Sequence, residues 1–332
     1  MRVVLVGEFD PCLVGHQWRK ALAPLGVDVR ICVQRVYWQG SAPDWWLDST
    51  TCDHGSLYEC ASTADIIILM PCIGQPWSYQ PPLEVCGQRE PDETHMGGID
   101  WDSLPGKRVA LFHGSLLLSA HAERYAAQYR ERGYTIAATT LDYVHRMKAH
   151  YFPPAVYLGS EPAPLRTDGE GLHVIHSPTA PSLCQTGALE EMAKRLGFVG
   201  WQSAPPEADS LAVVSGMPRD ALLRLKVRFN AGVDHVRGSF SINSIENAGL
   251  GLVNLVAVRP GYRAWYHAHM KCHLPFPVIE TMADVHDWLD KLSEDALLTR
   301  EYQAQGAAWY REHASPPVVA RHIAAKLAEI GA

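Results

Sequence analysis

Apolar side chains along this chain come in two rhythms. Short, mostly apolar runs, RVVLV (2–6), VDVRICV (27–33), ADIIILM (64–70), Arg108–Phe112 and TIAATT (135–140), read as strands of a parallel sheet, ADIIILM as a buried one. Between them, apolar positions recur at helical spacing. Val14, Trp18, Ala21, Leu22 and Leu25 mark a helix ended by Gly26, and Leu117–Arg132 predicts another. Strand, helix and strand in that order imply right-handed crossovers, with helices on both sheet faces. Residues 159–171, GSEPAPLRTDGEG, carry Pro, Gly and charge but few apolar side chains, and read as an interdomain linker. The rhythm then restarts, with strands at Leu172–Ile175, Leu211–Val214 and Ala231–Val236 and helices at Gly187–Leu196 and Pro218–Lys226. The expected architecture is α/β, with two Rossmann-like domains facing across a cleft. The first spans 1–165 and the second 170–308. Ala296–Ala332 is mostly helical with a break at Pro316-Pro317, and 309–332 is expected to pack back on the first domain.

Within the second half, residues 235–256 form the most informative stretch. A polar loop (Arg237–Asn243) leads into a short helix (Ser244–Ala248), a turn at Gly249 and Gly251, and an apolar strand (Leu252–Val256). A helix entered from such a loop offers unpaired backbone N–H groups and a positive dipole end, which suit a phosphate. Glu246 in that helix either stabilises its positive end or reaches a ligand hydroxyl.

Composition narrows the classes. With 332 residues, 47% hydrophobic and 20% charged, the chain is long enough for two cores and too apolar for disorder to dominate. A formal net charge of −7 argues against coating nucleic acid through bulk charge. No apolar run is long enough to span a membrane. The eight cysteines are scattered without a CxxC pair, which reads as reduced thiols in a cytoplasmic protein. The first loop holds no GxGxxG, so the usual dinucleotide fingerprint is absent.

Several segments resemble the glycosyltransferases of the GT-B fold, and in particular family 4 of retaining enzymes. VIHSPTAPSLCQTGALEEMAKRL is similar to that family's donor-domain opening, and SINSIENAGLGLVNLV to its Glu-bearing helix, small-residue turn and strand. LPFPVI and AAWYREHASPPVVARHI resemble its closing region, and LFHGSLLLSAHAERY a His-Gly-Ser segment at the cleft edge. The resemblance implies metal-independent transfer of a sugar, with retention, from a nucleotide-diphosphate sugar to an acceptor hydroxyl, with no separate cofactor. It places the donor against Gly15, Ser177, Gln185, Thr186, Gly187, Ser215, Gly216, Met217, Arg237, Ser244, Ile245 and Glu246, with Glu246 on the ribose. His113 and Arg237 become catalytic candidates, and His16, Ser115 and Asp142 acceptor-side candidates. His113 would hydrogen-bond a sugar hydroxyl or satisfy loop carbonyls, and Asp142 would orient the acceptor or cap a helix. Lys226, Arg228 and Arg237 are the cations available to the diphosphate.

Two positions depart from the family. Gly238 stands where the first of two glutamates is usual, and Gln185 where a lysine commonly precedes the helix start. They leave open a retuned or a catalytically weakened nucleotide-sugar-binding relative. The acceptor is open among a glycan, a small molecule and a hydroxymethylated DNA base. The Trp-rich segment 37–56 reads as an elaborated connection or as aromatic stacking on a sugar or base. His267, His269 and His273 with Cys272 form the one metal-like cluster, but no carboxylate accompanies them, and no metal is expected. The segment Arg259–His273 reads as a loop carrying cationic groups toward a ligand.

Overall fold

The computed structural model describes residues 1–7, 10, 13–34, 42–47, 52–71, 99–113, 121–159, 162–178, 185–234, 241–258, 262–270 and 274–332. The chain forms two compact units, one of Met1–Ala155 with Val319–Ala332, the other of Val156–Val318.

The first unit is built on seven parallel strands, β1 (Arg2–Gly7), β2 (Asp28–Val33), β3 (Trp45–Trp46), β4 (Ile66–Met70), β5 (Lys107–Phe112), β6 (Thr135–Ala138) and β7 (His150–Tyr151). Their order is β3-β2-β1-β4-β5-β6-β7. Every residue of β4 is buried, as its unbroken apolar run demands of a strand covered on both faces. Helices α1 (Val14–Leu22), α2 (His54–Ser62), α3 (His121–Glu131) and α4 (Leu141–Met147) connect the strands. Two of these helices are absent from the sequence reading. Helix α2 starts inside the Trp-rich segment, where the Asp53 carboxylate accepts from the Ser56 amide. Helix α4 begins at Leu141, beside the Asp142 expected to orient an acceptor or cap a helix, and ends at Lys148 in the left-handed region.

The second unit has six parallel strands, β8 (His173–His176), β9 (Val199–Gly200), β10 (Ser210–Val213), β11 (Ala231–Val233), β12 (Val253–Ala257) and β13 (Val278–Ile279), in the order β13-β12-β11-β8-β10-β9. Its helices are α5 (Thr186–Arg195), α6 (Arg219–Lys226), α7 (Ile242–Gly249), α8 (Tyr262–Met270), α9 (Met282–Glu294) and α10 (Ala296–Trp309). One core packs Leu189, Met192 and Ala193 of α5 and Val285, Leu289 and Leu292 of α9 on the sheet. Residues 162–171, read as a linker, fall inside this unit. Arg166 is 5% exposed there and donates to the carbonyls of Glu170, Leu292 and Ser293. Arg259–His273 is not a plain loop, because 262–270 is α8. A final helix, α11 (Pro316–Gly331), opens with the two prolines. A proline tolerates a first helical turn, whose N–H groups lack intrahelical partners.

In both sheets chain order reverses beside the first strand, between β1 and β4 and between β8 and β11. Open parallel sheets bind ligands outside the carboxyl ends of the strands at such a switch point. Those two ends locate the candidate sites.

Candidate functional site

In the second unit, β8 ends in His176 and β11 in Val233, paired in register. His176 is 1% exposed; its Nδ1 lies 3.0 Å from the Val233 carbonyl and its Nε2 3.0 Å from Thr186 Oγ1. A carbonyl only accepts, so Nδ1 carries the proton, and in the neutral ring Nε2 accepts from Thr186. Thr186 opens α5, and Ser177 follows His176. Ser177 Oγ donates to Asn243 Oδ1 at 3.0 Å, which ties the end of β8 to the first turn of α7. The N-termini of α5 and α7 therefore flank one strand end.

Helix α7 starts two residues earlier than its sequence suggests. Ser241 caps it, its Oγ accepting from the Asn243 amide at 3.1 Å and donating to Asp234 Oδ2 at 2.5 Å. Asp234 is 4% exposed and also takes the Ser244 hydroxyl and the Asn243 side-chain amide. Ser244 is fully buried with its hydroxyl on Asp234, and the Ile245 amide bonds the Ser241 carbonyl, which spends the N–H group expected of Ile245.

Glu246 sits in the second turn of α7 and is 4% exposed. Its Oε1 accepts from Arg219 Nε at 2.9 Å and its Oε2 from Lys226 Nζ at 2.8 Å. Burial pushes the carboxyl up, but the two cations outweigh it and hold it below its ordinary value. Glu246 is thus the buried centre of an ion-pair triad with Arg219 and Lys226. Lys226, offered from sequence as a phosphate ligand, has no exposed side-chain surface and spends its ammonium on Glu246 and Asn243 Oδ1. Arg228 lies with its Cζ 4.7 Å from the Trp201 ring centroid. Arg237 and Gly238 lie outside the described residues.

The cation that sequence reasoning missed is Arg219, the first residue of α6. Its side chain keeps 14% exposure, and its Nη2 donates to the Tyr157 carbonyl at 3.1 Å. Its Nη1 donates no hydrogen bond among the described residues. A lone arginine after Ser-Gly-Met-Pro carries no distinguishing signal; Glu246, 27 residues on, selects it. Ser215 and Gly216 are exposed just after β10, with Gly216 at φ +70° and Met217 half-buried.

Gln185 caps α5 at φ 57°, ψ 32°, in the left-handed region that disfavours a side chain, and makes no side-chain capping bond. Among the described residues, a Cβ added at Gly187 would meet nothing within 4 Å.

In the first unit the organising residue is Asp10, which the sequence reading passed over. It is 3% exposed and accepts from the amides of Gly15 (2.8 Å) and His16 (3.0 Å) and from His16 Nδ1 (2.6 Å). A Cβ on Gly15 would stand 3.2 Å from Asp10 and 3.1 Å from Leu5, so Gly15 serves this close packing. His16 Nε2 lies 3.0 Å from the Ala42 carbonyl. Burial works against the charged ring, but Asp10 and that carbonyl outweigh it and raise the His16 pKa. His113 Nδ1 lies 2.7 Å from Thr139 Oγ1. Burial, opposed by the Asp10 charge, lowers its pKa to about 4. At neutral pH His113 is uncharged. Ser115 and the side chain of Asp142 lie outside the described residues.

Among the described residues no group of three or more His, Cys, Asp or Glu could hold a metal ion. His269 stacks on Trp265 with centroids 4.7 Å apart, while Cys272 and His273 lie outside the described residues. No described helix is long and apolar enough to cross a membrane. In the Trp-rich segment, Trp45 Nε1 donates to Ser56 Oγ at 3.1 Å and Trp46 is 46% exposed.

No protein-family model matches the chain, and no curated protein sequence matches it. Solved structures do. Sucrose-phosphate synthase from Thermosynechococcus elongatus superposes with a TM-score of 0.62 at 11% identity, covering 99% of both chains. HepE from Anabaena, solved with UDP and glucose, gives 0.57 at 9% identity over 99% of this chain and 100% of that one. An alpha-glucosyltransferase solved with UDP and a 13-mer DNA gives 0.58 at 11% identity over 99% and 100%. Two parallel-sheet α/β units in this arrangement of strands are the GT-B fold of the glycosyltransferases.

Proposed function

We propose that this protein is a glycosyltransferase that binds a nucleotide-diphosphate sugar in its second unit and transfers the sugar to an acceptor hydroxyl. The observation that carries the reading is the joint at the end of β8, where His176, Ser177, Thr186 and Asn243 lock the N-termini of α5 and α7 together. Their backbone N–H groups suit a diphosphate, whose charge grows as it leaves. Arg219, with Nη1 unspent, is the cation proposed to meet that charge, in place of the lysine that Gln185 replaces. In the transfer, the bond from the anomeric carbon to the diphosphate oxygen breaks and its electron pair leaves with the diphosphate. The acceptor oxygen bonds that carbon, and its proton passes to the departing diphosphate. Metal independence, retention and membership of family 4 belong to this proposal and rest on the resemblance of VIHSPTAP and SINSIENAG. Asp10, His16 and His113 at the switch point of the first unit are the proposed acceptor side, with His113 as a neutral hydrogen-bonding group. HepE was solved with UDP and glucose, so UDP-sugars are the first donors to test.

Calorimetry with UDP-glucose and UDP, beside a thermal-shift screen of UDP-, GDP-, ADP- and CDP-sugars, tests the reading. A ligand at about 100 times its Kd adds about 2.7 kcal/mol to the folded state. Arg219→Ala is expected to lower kcat/KM by about 100-fold, as removal of one charge-stabilising donor does. If no nucleotide-sugar shifts melting at millimolar concentration, the proposal fails. A second reading, a binding protein without turnover, is favoured by Gln185, whose side chain brings no charge to α5. Hydrolysis of the bound sugar nucleotide excludes it. Acceptors to test are glycans, small molecules and hydroxymethylated DNA. Only the last requires binding that falls steeply with salt.

A further inference from the structure

A hydroxyl carries one proton, and where that proton is spent decides what else the group can bind. Beside the two helix starts the described structure assigns it. Ser177 faces Asn243 Oδ1, which also takes the Lys226 ammonium, while Asn243 Nδ2 donates to Asp234. The cation on one side and the carboxylate on the other fix that amide with its oxygen toward Ser177, so Ser177 must donate. Thr186 faces His176 Nε2, which the Val233 carbonyl leaves unprotonated in the neutral ring. With His176 neutral, the form its burial favours, both protons point to buried partners and each oxygen retains only accepting capacity. Ser177 is half-buried and Thr186 keeps 8% exposure, so each residue retains some surface.

Phosphate oxygens at neutral pH are acceptors, and two acceptors cannot hydrogen-bond. A phosphate can use the backbone N–H groups here, but it can use these hydroxyls only by breaking their inward bonds. A sugar hydroxyl has the proton they lack. We propose that Ser177 and Thr186 are specificity-determining residues that accept hydrogen bonds from sugar hydroxyls of the donor, while at this joint only the backbone amides, beside Arg219, serve the diphosphate. This deepens, and rests on, the nucleotide-sugar reading. His176 is the positioning residue that commits the Thr186 proton. The hydroxyls recognised belong to the transferred sugar or to the ribose.

Calorimetry on the full chain with UDP-glucose, UDP and 2′,3′-dideoxy-UDP, for wild type, Thr186→Val, Thr186→Ser and Ser177→Ala, separates the cases. Thr186→Val and Ser177→Ala are each expected to weaken UDP-glucose by about tenfold, the scale of one hydrogen bond, with Thr186→Ser near wild type. A loss confined to UDP-glucose assigns the transferred sugar. A loss shared by UDP but absent with the dideoxy analogue assigns the ribose. Equal losses with all three ligands, or no loss with any, overturn the proposal and leave the donor reading standing. Wild type that binds none of the three overturns both. If Thr186→Val lowers the melting temperature, the half-buried Ser177→Ala carries the same test.

Discussion

At the scale of the residue, the two histidines of the first unit titrate in opposite senses. The folded pKa of His113, about 4, lies below its ordinary 6.5, so between those values the unfolded chain holds more protons and stability rises with pH. The folded pKa of His16 is raised, so its contribution is complete below 6.5 and is lost as pH rises through the folded value. Denaturant melts from pH 4 to 9 are expected to show a stability maximum near 6.5. His113→Gln flattens the acid limb and His16→Gln the alkaline limb; unchanged limbs in both variants refute the assignment. The same rule applies to the buried triad. Glu246→Ala strands the Lys226 ammonium without a counter-charge and is expected to cost about 3–5 kcal/mol, read from the urea midpoint. The double variant Lys226→Met, Glu246→Leu recovers most of it, because an apolar pair avoids the desolvation of two ions.

At the scale of the element, both units enter their first helix through a non-glycine residue in the left-handed region, Leu13 at φ 58° and Gln185 at φ 57°, two residues before Gly15 and Gly187. The repeated geometry costs roughly 1–2 kcal/mol at each side-chain-bearing position. Gln185→Gly is therefore expected to raise stability by about 1 kcal/mol, measured by denaturant melting, with α5 unchanged in place. Strands were the most legible elements, since β4 and β1 after Arg2 are continuous apolar runs whose burial follows from the run itself, while β2 sets the half-buried Asp28 and Arg30 between buried apolar residues. Helix α2 was illegible because only Leu57 and Ala61 mark its buried face, and α4 because Leu141, Val144 and Met147, though at helical spacing, span only seven residues. The start of α7 was misplaced because Ser241 and Ser244 are equally good caps on paper. Only Asp234, which binds both, decides between them. Site residues close in the chain, such as Thr186 and Gly187, could be read. Asp10, Arg219 and the sealing of Lys226 depend on partners brought near by folding, and no local pattern announces them.

At the scale of the whole molecule, the second unit is one uninterrupted stretch, Val156–Val318, while the first is closed by residues from both ends of the chain. Each possesses its own buried core, so a fragment of residues 156–318 is expected to unfold cooperatively and to bind UDP-glucose with near-native affinity by calorimetry. Removing 319–332 instead strips Val319, Ala320, Ile323 and Leu327, each at most 3% exposed, from the first unit and cuts the bond from His322 Nε2 to the Tyr151 carbonyl. That truncation lowers the first unit's melting transition and spares the second. The interleaving also sets an order of events on the ribosome. Domains fold as they emerge, usually from the N-terminus onward. Here the nascent second unit can complete its core while the first, though synthesised earlier, still waits for its last helix to leave the exit tunnel. Throughout that interval the apolar ground reserved for Ile323 and Leu327 stands bare.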